Sequence, residues 1–260
     1  MPIERLKVLD LLDRERRTLA RDGERLEQLS HLSRLTFSDG GGYSIVYSNF
    51  DSRDADRIIS EQVAHYRNLD AEVEWKVYEH DAPAKLVPSL QQHGFEIGEC
   101  ESVLALDLIE KHDCLEQPPV HRIERIQTPD QVNLYRQTAE LIFRKNYQFT
   151  ASELSRALSR GSTEHMGYLC FDGAIPVSIG RLYTHAYSAF GDLYGGGTLP
   201  DYRRSGFYRS LTAQRGRDAR AMGARFLIVD ALPTSCPILK RLGFVEISRT
   251  WPCVLKKASI

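Results

Sequence analysis

One segment, Gly191–Leu211, constrains the fold of this chain more than any other. The spacing of its apolar residues predicts a strand, then a turn, then a helix. The turn contains the small residues Ser205 and Gly206, which let a backbone approach a ligand closely. Because the free amides and the dipole of a first helical turn attract anions, this turn predicts a site for a pyrophosphate. The basic residues beside it are Arg203, Arg204 and Arg209.

The charges of the chain are divided unevenly. Residues 1–118 carry 14 basic and 24 acidic side chains, whereas residues 119–260 carry 20 basic and 11 acidic ones. The formal net charge of the whole chain is -1, which argues against nucleic acid as a partner. The basic half can attract a polyanionic ligand through its field, although solvated faces that keep two domains soluble would explain the same counts.

Apolar runs and cysteine spacing exclude further classes of protein. No run approaches the roughly 20 apolar residues that span a bilayer, and the segment after Met1 is charged, so we expect a cytoplasmic protein without a membrane partner. The five cysteines form no CxxC pair, so neither a metal site nor a disulfide framework is expected. A length of 260 residues favours two small domains.

Hydrophobic spacing predicts an alternation of helices and strands. Apolar residues three and four apart predict two amphipathic helices at Ile3–Leu12 and Leu26–Leu35, and Asp39–Gly42 predicts a loop. Thr128 predicts the cap of a helix over Pro129–Phe143. The other predicted strands are Tyr43–Tyr47, Val73–Tyr78, Ser102–Leu108, Arg122–Ile126, Met166–Asp172, Val177–His185, Ala186–Leu193 and Arg225–Val229, and the other predicted helices are Asp54–Asn68, Ala84–His93, Ser152–Ser159, Tyr208–Met222 and Pro237–Leu242.

Two fifteen-residue segments of the chain match without gaps. Asp81–Phe95 and Asp230–Phe244 share six residues, including the acidic residue, a proline, a leucine and the final Gly-Phe. We interpret this match as a duplication, so that both halves have one fold. Consecutive prolines at Pro118 and Pro119 cannot join a sheet or a helix interior and mark the linker. The predicted domains are therefore residues 1–117 and 118–260.

The second of these domains resembles the GCN5-related N-acetyltransferase (GNAT) superfamily, whose signature is Gln/Arg-x-x-Gly-x-Gly/Ala after a strand. Arg203–Tyr208 matches the first and fourth positions, while Tyr208 replaces the usual small residue. Leu199–Arg203 and Ser235–Phe244 resemble the flanking segments of the family, and the likeness covers residues 122–256. It implies an α/β (α+β mixed sheet) class and, with the duplication, a tandem GNAT-like acyl-CoA N-acyltransferase fold.

The resemblance also implies a cofactor site. Acetyl-CoA (coenzyme A) would be the co-substrate, with its pantetheine arm in a split between the strands Ala189–Leu193 and Arg225–Val229. The counterpart of the phosphate loop in the first half is Asp54–Ile59, which is acidic and lacks glycine, so the first half is expected to be a helical segment plus a degenerate GNAT-like domain without a cofactor site. The implied cofactor-binding residues are Leu199, Arg203, Arg204, Ser205, Gly206, Phe207, Tyr208 and Arg209.

Members of the family acylate an amine by direct attack on the thioester, which requires a base near the split strand. Asp192 is the candidate base, and a simple ion pair with Arg181 is the alternative role of its carboxylate. His185 and Tyr187 are back-up candidates, although such residues in a strand are often only packed.

The general acid that is usual in the family is replaced in this sequence. The family often has a tyrosine at the position of Leu239, so this acid is absent here. Tyr194 is the candidate substitute, and Ser235 and Cys236 are alternatives. Ser235 also suits a helix cap.

The implied activity is transfer of an acetyl or longer acyl group from acetyl-CoA to an amine of a small molecule or a protein. A catalytically silent acyl-CoA-binding or regulatory module is the alternative, favoured by Leu239 and Tyr208. A scaffold that uses the acidic first half is a third interpretation. A homodimer is one assembly that we consider, and no sequence feature identifies the acceptor amine.

Overall fold

The computed structural model describes residues 4–37 and 42–257. The chain divides into two compact units, each discontinuous in sequence. Of the described chain, the N-terminal unit comprises residues 4–104, 230–236 and 246–257, and the C-terminal unit comprises residues 105–229 and 237–245. This division does not follow the predicted boundary between residues 117 and 118. One reason is that Thr250–Leu255 pairs as an antiparallel strand with Val73–Tyr78.

The described chain is a mixture of helices and strands. In chain order they are α1 (Arg5–Thr18), β1 (Glu24–Gln28), β2 (Leu32–Phe37), β3 (Tyr43–Ser48), α2 (Ala55–Asn68), β4 (Val73–Tyr78), α3 (Leu86–Gln92), β5 (Glu96–Ile97), β6 (Glu101–Asp107), α4 (Asp113–Glu116), β7 (Arg122–Arg125), α5 (Pro129–Phe143), α6 (Gln148–Ser159), β8 (His165–Asp172), β9 (Ile175–Tyr183), β10 (Phe190–Thr198), α7 (Phe207–Ala221), β11 (Phe226–Ala231), α8 (Cys236–Arg241) and β12 (Val245–Leu255).

The N-terminal unit contains a sheet in the strand order β1-β2-β3-β4-β12, with β5 also paired to β12. Strands β3 and β4 are parallel, and the other pairs are antiparallel. The core includes Trp75, Ile58, Ile59 and Leu90, each no more than 1% exposed. The indole of Trp75 donates a hydrogen bond to Ser48 Oγ at 2.7 Å, so the largest core side chain has its polar atom satisfied.

The helix predicted over Leu26–Leu35 is wrong. The segment forms the antiparallel hairpin of β1 and β2, in which Leu26 lies opposite Leu35. The turn is closed by a hydrogen bond from the Leu29 amide to the Leu32 carbonyl at 2.9 Å. These leucines are therefore spread over two strands and a turn rather than one helix face, and only the tertiary pairing distinguishes the two arrangements. The predicted loop at Asp39–Gly42 lies, apart from Gly42, outside the described residues.

A buried ion pair joins α1 to the loop after β4. Arg16 donates to both carboxylate oxygens of Asp81 at 2.9 and 2.8 Å, and the two side chains are 7% and 1% exposed. Asp13 accepts a further bond from Arg16 at 2.7 Å, and the guanidinium lies 3.8 Å from the ring centre of Tyr78. Asp13 and Asp81 with His80 could form a metal-ligand set by spacing, but Arg16 already occupies both carboxylates.

The C-terminal unit contains the strand order β7-β8-β9-β10-β11. Ile179 of β9 packs in one core cluster with Tyr135 of α5 and Leu154 of α6. A Cβ on the next residue, Gly180, would meet Arg215 of α7 at 2.7 Å. Because successive residues of a strand point to opposite faces, α5 and α6 cover one face of this sheet and α7 covers the other.

The start of α5 confirms the predicted cap. The Thr128 hydroxyl accepts a hydrogen bond from the Gln131 amide at 3.2 Å, and the Gln131 side chain accepts one from the Thr128 amide at 3.2 Å. This reciprocal pair satisfies two amides that the first helical turn leaves free.

No helix of the described residues is long and apolar enough to cross a membrane.

The matching segments detected in the sequence have the same local structure. Each contains a short helix, α3 or α8, that ends in a glycine with positive φ: Gly94 at 89° and Gly243 at 99°. The next residue donates to the carbonyl of a fully buried leucine, Phe95 to Leu90 at 3.1 Å and Phe244 to Leu239 at 3.2 Å. Both units also contain a parallel strand pair, β3–β4 and β10–β11, on either side of a helix. These features support the duplication.

Candidate functional site

The parallel pair β10–β11 is short. Its ladder joins three residue pairs and ends at Asp192 and Ile228, although β10 continues to Thr198. Beyond Asp192, β10 pairs only with β9 among the described residues of the C-terminal unit. Since the β10 backbone on the β11 side leaves its ladder here, a ligand backbone can hydrogen-bond to it, as the predicted split requires.

A bulge follows on the same strand. Tyr194 lies opposite Arg181 and Gly197 opposite Ile179, so β10 has one residue more than β9 in this interval. Gly195 adopts a φ of 54°, a conformation that glycine reaches without the strain a side chain adds. Bulges of this kind redirect backbone groups next to a site.

A buried arginine lies behind the bulge on the α7 side. Arg215 is 1% exposed and donates to the carbonyls of Arg181 at 3.0 Å and Tyr194 at 3.5 Å. Burial lowers the pKa of Arg215 from its ordinary value. Its guanidinium holds the backbone of β9 and of the bulge in place from the α7 side, since these two carbonyls accept hydrogen bonds from Nη1. The trans peptide between Tyr194 and Gly195 directs its N–H away from this carbonyl, and therefore away from Arg215.

The predicted phosphate loop leads from β10 into α7. After a 3₁₀ turn at Pro200–Tyr202, Arg204 and Gly206 adopt positive φ values of 67° and 87°. Gly206 is the N-cap residue of α7, and no side chain caps the helix there. The first amides of α7 therefore remain available to a ligand, and Arg203, Arg204 and Arg209 are exposed around them.

The loop is held by a histidine at the start of β7. His121 Nε2 lies 2.9 Å from the Ser205 carbonyl, and its ring stacks on Phe207 with centroids 3.9 Å apart. Phe207 is 5% exposed and anchors the first turn of α7. His121 is a support of the loop that sequence reasoning missed, because it is distant in sequence and carries no motif.

Tyr208, the departure from the family signature, points into the protein. A Cβ on Gly196 would lie 3.0 Å from its ring, and burial raises the pKa of its hydroxyl. The side chain therefore packs beneath the bulge, and only its backbone amide belongs to the helix start. Leu199 joins the loop to the sheet, since its amide donates to the Val177 carbonyl at 2.9 Å.

Two of the catalytic candidates share one face of the sheet. Asp192 lies opposite Tyr183, and Tyr194 lies opposite Arg181, on the side of α5 and α6. The rings of Tyr183 and Tyr194 meet edge to face at 5.1 Å, and Tyr194 is 38% exposed. A base and an acid on one strand face, two residues apart, can serve one reaction centre.

The back-up candidates lie elsewhere. His185 follows the end of β9, where its Nε2 is 3.8 Å from Glu164 and its Nδ1 accepts from the Tyr187 amide at 3.2 Å. Tyr187 is 86% exposed, so it is not packed in a strand. Ser235 donates to the Leu232 carbonyl at 3.2 Å, and both Ser235 and Cys236 belong to the N-terminal unit.

A polar cluster on the α5 and α6 side of the bulge was not predicted. Arg181 donates to Tyr183 Oη at 2.9 Å and forms an ion pair with Glu153 of α6 at 3.5 Å. Burial by itself lowers the pKa of Arg181, but Tyr183, Tyr135 and Glu153 raise it above the ordinary value. An arginine within the otherwise apolar pattern of β9 was the only sequence signal.

The N-terminal unit has no counterpart of the phosphate loop among its described residues. Its helix α2 follows a 3₁₀ turn, Ser52–Asp54, in which no residue has positive φ. Asp51 accepts from the Arg53 amide and side chain, and Arg57 pairs with Asp54 at 2.9 Å. The basic side chains near this helix start are thus matched by carboxylates, which would repel phosphate.

Comparison with known proteins identifies the fold. No protein-family model and no curated protein matches the sequence. A GCN5-related N-acetyltransferase from Kribbella flavida matches with a TM-score of 0.70 and 15% identity over 100% of this chain and 97% of its own. Another from Sphaerobacter thermophilus matches with a TM-score of 0.58 and 16% identity over 92% of this chain and 85% of its own.

A tandem GNAT protein from the clavulanic acid biosynthesis pathway also matches, with a TM-score of 0.57 and 12% identity over 93% of this chain and 86% of its own. This chain therefore has the fold of the GNAT acetyltransferases. Its likeness to a tandem protein over nearly its whole length confirms the predicted fold class, a mixed-sheet α/β fold of the tandem GNAT-like type.

Proposed function

We propose that this chain is an N-acetyltransferase that moves an acetyl group from acetyl-CoA to an amine of a small molecule or a protein. The observation that carries the proposal is the start of α7, where uncapped amides and three exposed arginines follow a strand that has left its parallel partner. The amides and arginines suit the pyrophosphate of coenzyme A. The β10 backbone from Asp192 to Thr198 suits the amides of the pantetheine arm.

The reaction needs one base and a stabilised leaving group. A neutral amine attacks the thioester carbonyl, the C–N bond forms and the C–S bond breaks. Asp192 is proposed to accept the proton that the amine loses, directly or through a water, and Tyr194 to protonate the departing thiolate. The N–H of the peptide between Tyr194 and Gly195 is proposed to donate to the oxyanion, since backbone donors fixed by a bulge need no reorganisation.

A silent acyl-CoA-binding module is the alternative, and one observation favours it. Leu239, at the family's frequent acid position, is fully buried and accepts a backbone hydrogen bond from Phe244, so this position serves packing. The two functions agree on coenzyme A and differ in turnover.

Calorimetry followed by an activity assay distinguishes them. Purified protein is titrated with acetyl-CoA, and release of free thiol is then measured over a panel of amines. We expect binding and amine-dependent thiol release. Binding without release on any amine supports the module, and absence of binding refutes both.

Matched variants assign the roles. Asp192→Asn should lower kcat at neutral pH by about 100-fold or more and leave the acetyl-CoA dissociation constant unchanged, because general-base catalysis contributes about 10²–10⁴-fold. Tyr194→Phe should also lower kcat and leave the acetyl-CoA dissociation constant unchanged, because the variant loses only the proton donor. Tyr187→Phe, at an exposed residue away from the bulge, is the control and should change neither.

A further inference from the structure

Two polar side-chain atoms beside the bulge are buried without a hydrogen-bond partner among the described residues. They are the hydroxyl of Tyr135, a residue 0% exposed, and Nε of Arg181. Burial raises the pKa of Tyr135 to about 12, so its hydroxyl remains a donor at neutral pH. An unpaired buried donor costs about 1–3 kcal/mol, so these two atoms need a partner, either an ordered water or a group of a bound ligand.

Both atoms face the same space. A Cβ built on Gly195 would lie 3.5 Å from Arg181 Nε, 3.6 Å from Arg181 Nη2 and 3.6 Å from Tyr135 Oη. Gly195 has no side chain, so this space stays open next to the bulge. We call it the Gly195 recess, and the three nearest atoms that face it, Nε and Nη2 of Arg181 and Oη of Tyr135, can all donate hydrogen bonds.

The orientation of the guanidinium indicates the shape of the ligand. Its Nη1 is engaged by Tyr183 Oη at 2.9 Å and by Glu153 at 3.5 Å. The opposite edge, made of Nε and Nη2, faces the Gly195 recess. This edge presents two parallel N–H bonds that match the two oxygens of a carboxylate, a geometry that a point charge such as lysine does not offer.

We propose that the Gly195 recess binds a carboxylate of the acceptor, so that the acceptor class is an amino acid or a related molecule with its amine close to a carboxylate. The inference rests on the proposed function, because that function puts the thioester at the bulge. The short reach from the recess to the bulge suits an α-amino acid, in which one carbon separates the amine from the carboxylate. Arg181 and Tyr135 would both donate to its oxygens.

The test compares amino acids with the amines that remain when the carboxylate is removed: glycine with methylamine, alanine with ethylamine, and phenylalanine with phenethylamine. Initial rates are compared at equal concentrations of unprotonated amine. We expect kcat/KM to be higher for the amino acid by about 100-fold in at least one pair, because a site built for hydrogen bonding rejects the analogue that lacks the group. Equal values within all three pairs overturn the proposal.

Variants assign that preference to the recess. Arg181→Met should lower kcat/KM for the amino acid about 100-fold and leave the matched amine within about threefold. A loss that is equal for both members shows a structural role and overturns the proposal. Tyr135→Phe and Tyr183→Phe each remove one phenolic oxygen near Arg181, but only that of Tyr135 faces the recess. Tyr135→Phe should therefore reduce the preference by about tenfold, and Tyr183→Phe should reduce it less.

A binding experiment separates this inference from the proposed transfer. N-acetylglycine, N-acetylalanine and N-acetylphenylalanine are titrated into wild-type protein and Tyr135→Phe in the presence of coenzyme A, with thermal unfolding as the check of folding. Binding that is weaker in the folded variant, together with no turnover, supports the recess and refutes acetyl transfer. Turnover on simple amines without binding of any N-acetyl amino acid refutes the recess and supports transfer.

Discussion

The start of α7 offers a test in which two variants of nearly equal size should differ from each other in their affinity for acetyl-CoA. Gly206 has a φ of 87°, and a Cβ there would meet only His121 Nε2, at 3.4 Å. Asparagine and aspartate tolerate this backbone region better than other side chains, and they have almost the same size. Gly206→Asn and Gly206→Asp therefore share the backbone strain and the contact with His121, and they differ in one negative charge.

The size of the difference follows from Coulomb's law. A carboxylate at residue 206 would lie about 5 Å from a pyrophosphate bound at the amides of α7 and carrying about two charges. At an effective dielectric constant between about 40 and 80, the repulsion is about 2–3 kcal/mol, which weakens binding about 30- to 150-fold. The same carboxylate at a helix N-terminus should stabilise the folded protein by about 0.3–1 kcal/mol.

Calorimetry with acetyl-CoA and thermal unfolding together measure both effects. Gly206→Asn should bind within about threefold of the wild type, whereas Gly206→Asp should bind about 30- to 150-fold more weakly and have a melting temperature at or above that of Gly206→Asn. The difference in affinity should shrink as salt rises from about 0.05 to 0.5 M, because exposed charges are screened.

Equal dissociation constants for the two variants at low salt would refute the reasoning. That result would mean that no phosphate of the ligand lies at the start of α7. A lower melting temperature of Gly206→Asp than of Gly206→Asn would refute the electrostatic account of the helix start itself.

Three further predictions concern stability. Burial and the nearby Asp230 charge raise the pKa of Glu101 to about 7. Between the unfolded pKa and pH 7 the folded protein therefore binds more protons than the unfolded one, so its free energy of unfolding falls as the pH rises. In urea unfolding, Glu101→Gln should have a free energy of unfolding about 1–2 kcal/mol above that of the wild type at pH 8 and equal to it at pH 4, with partial exposure discounted. Arg16→Met leaves the Asp81 carboxylate buried and unpaired and should cost about 3–5 kcal/mol in urea unfolding, whereas a loss under about 1 kcal/mol would contradict the structure. Gly180→Ala puts a methyl group 2.7 Å from Arg215 Nη1 and should cost about 1–3 kcal/mol and lower kcat, as measured by thermal unfolding and thiol release.

Local chemistry explains which elements could be predicted from the sequence. Thr128 with Gln131 three residues later specifies a helix start through contacts within one turn, and α5 begins there as predicted. Gly206 and Gly243 adopt positive φ at turns, and this too is a local effect, because glycine has no side chain that would strain such a backbone. The spacing of Leu26, Leu29, Leu32 and Leu35 fits a helix as well as a hairpin, and only the cross-strand pairing of Leu26 with Leu35 distinguishes the two.

The site could be predicted only where it is contiguous in sequence. The loop Arg203–Arg209 lies in one segment, so its turn, charges and helix start can be recognised together. The Gly195 recess combines Tyr135 of α5 with Arg181 of β9, and it is defined by two donor atoms that have no hydrogen-bond partner among the described residues. A sequence does not show whether a polar atom is paired, because the partners come from other elements.

The discontinuous units also bear on how the chain is made. The N-terminal unit needs β12, whose residues 250–255 pair with β4, and it needs residues 230–236, which begin with the last two residues of β11. During synthesis the first hundred residues therefore leave the ribosome with the β12 side of β4 unpaired, an exposed edge of the kind that promotes aggregation. The unit that lacks the phosphate loop is then the last to be completed, and a chaperone that binds nascent chains would meet β4 before β12 exists.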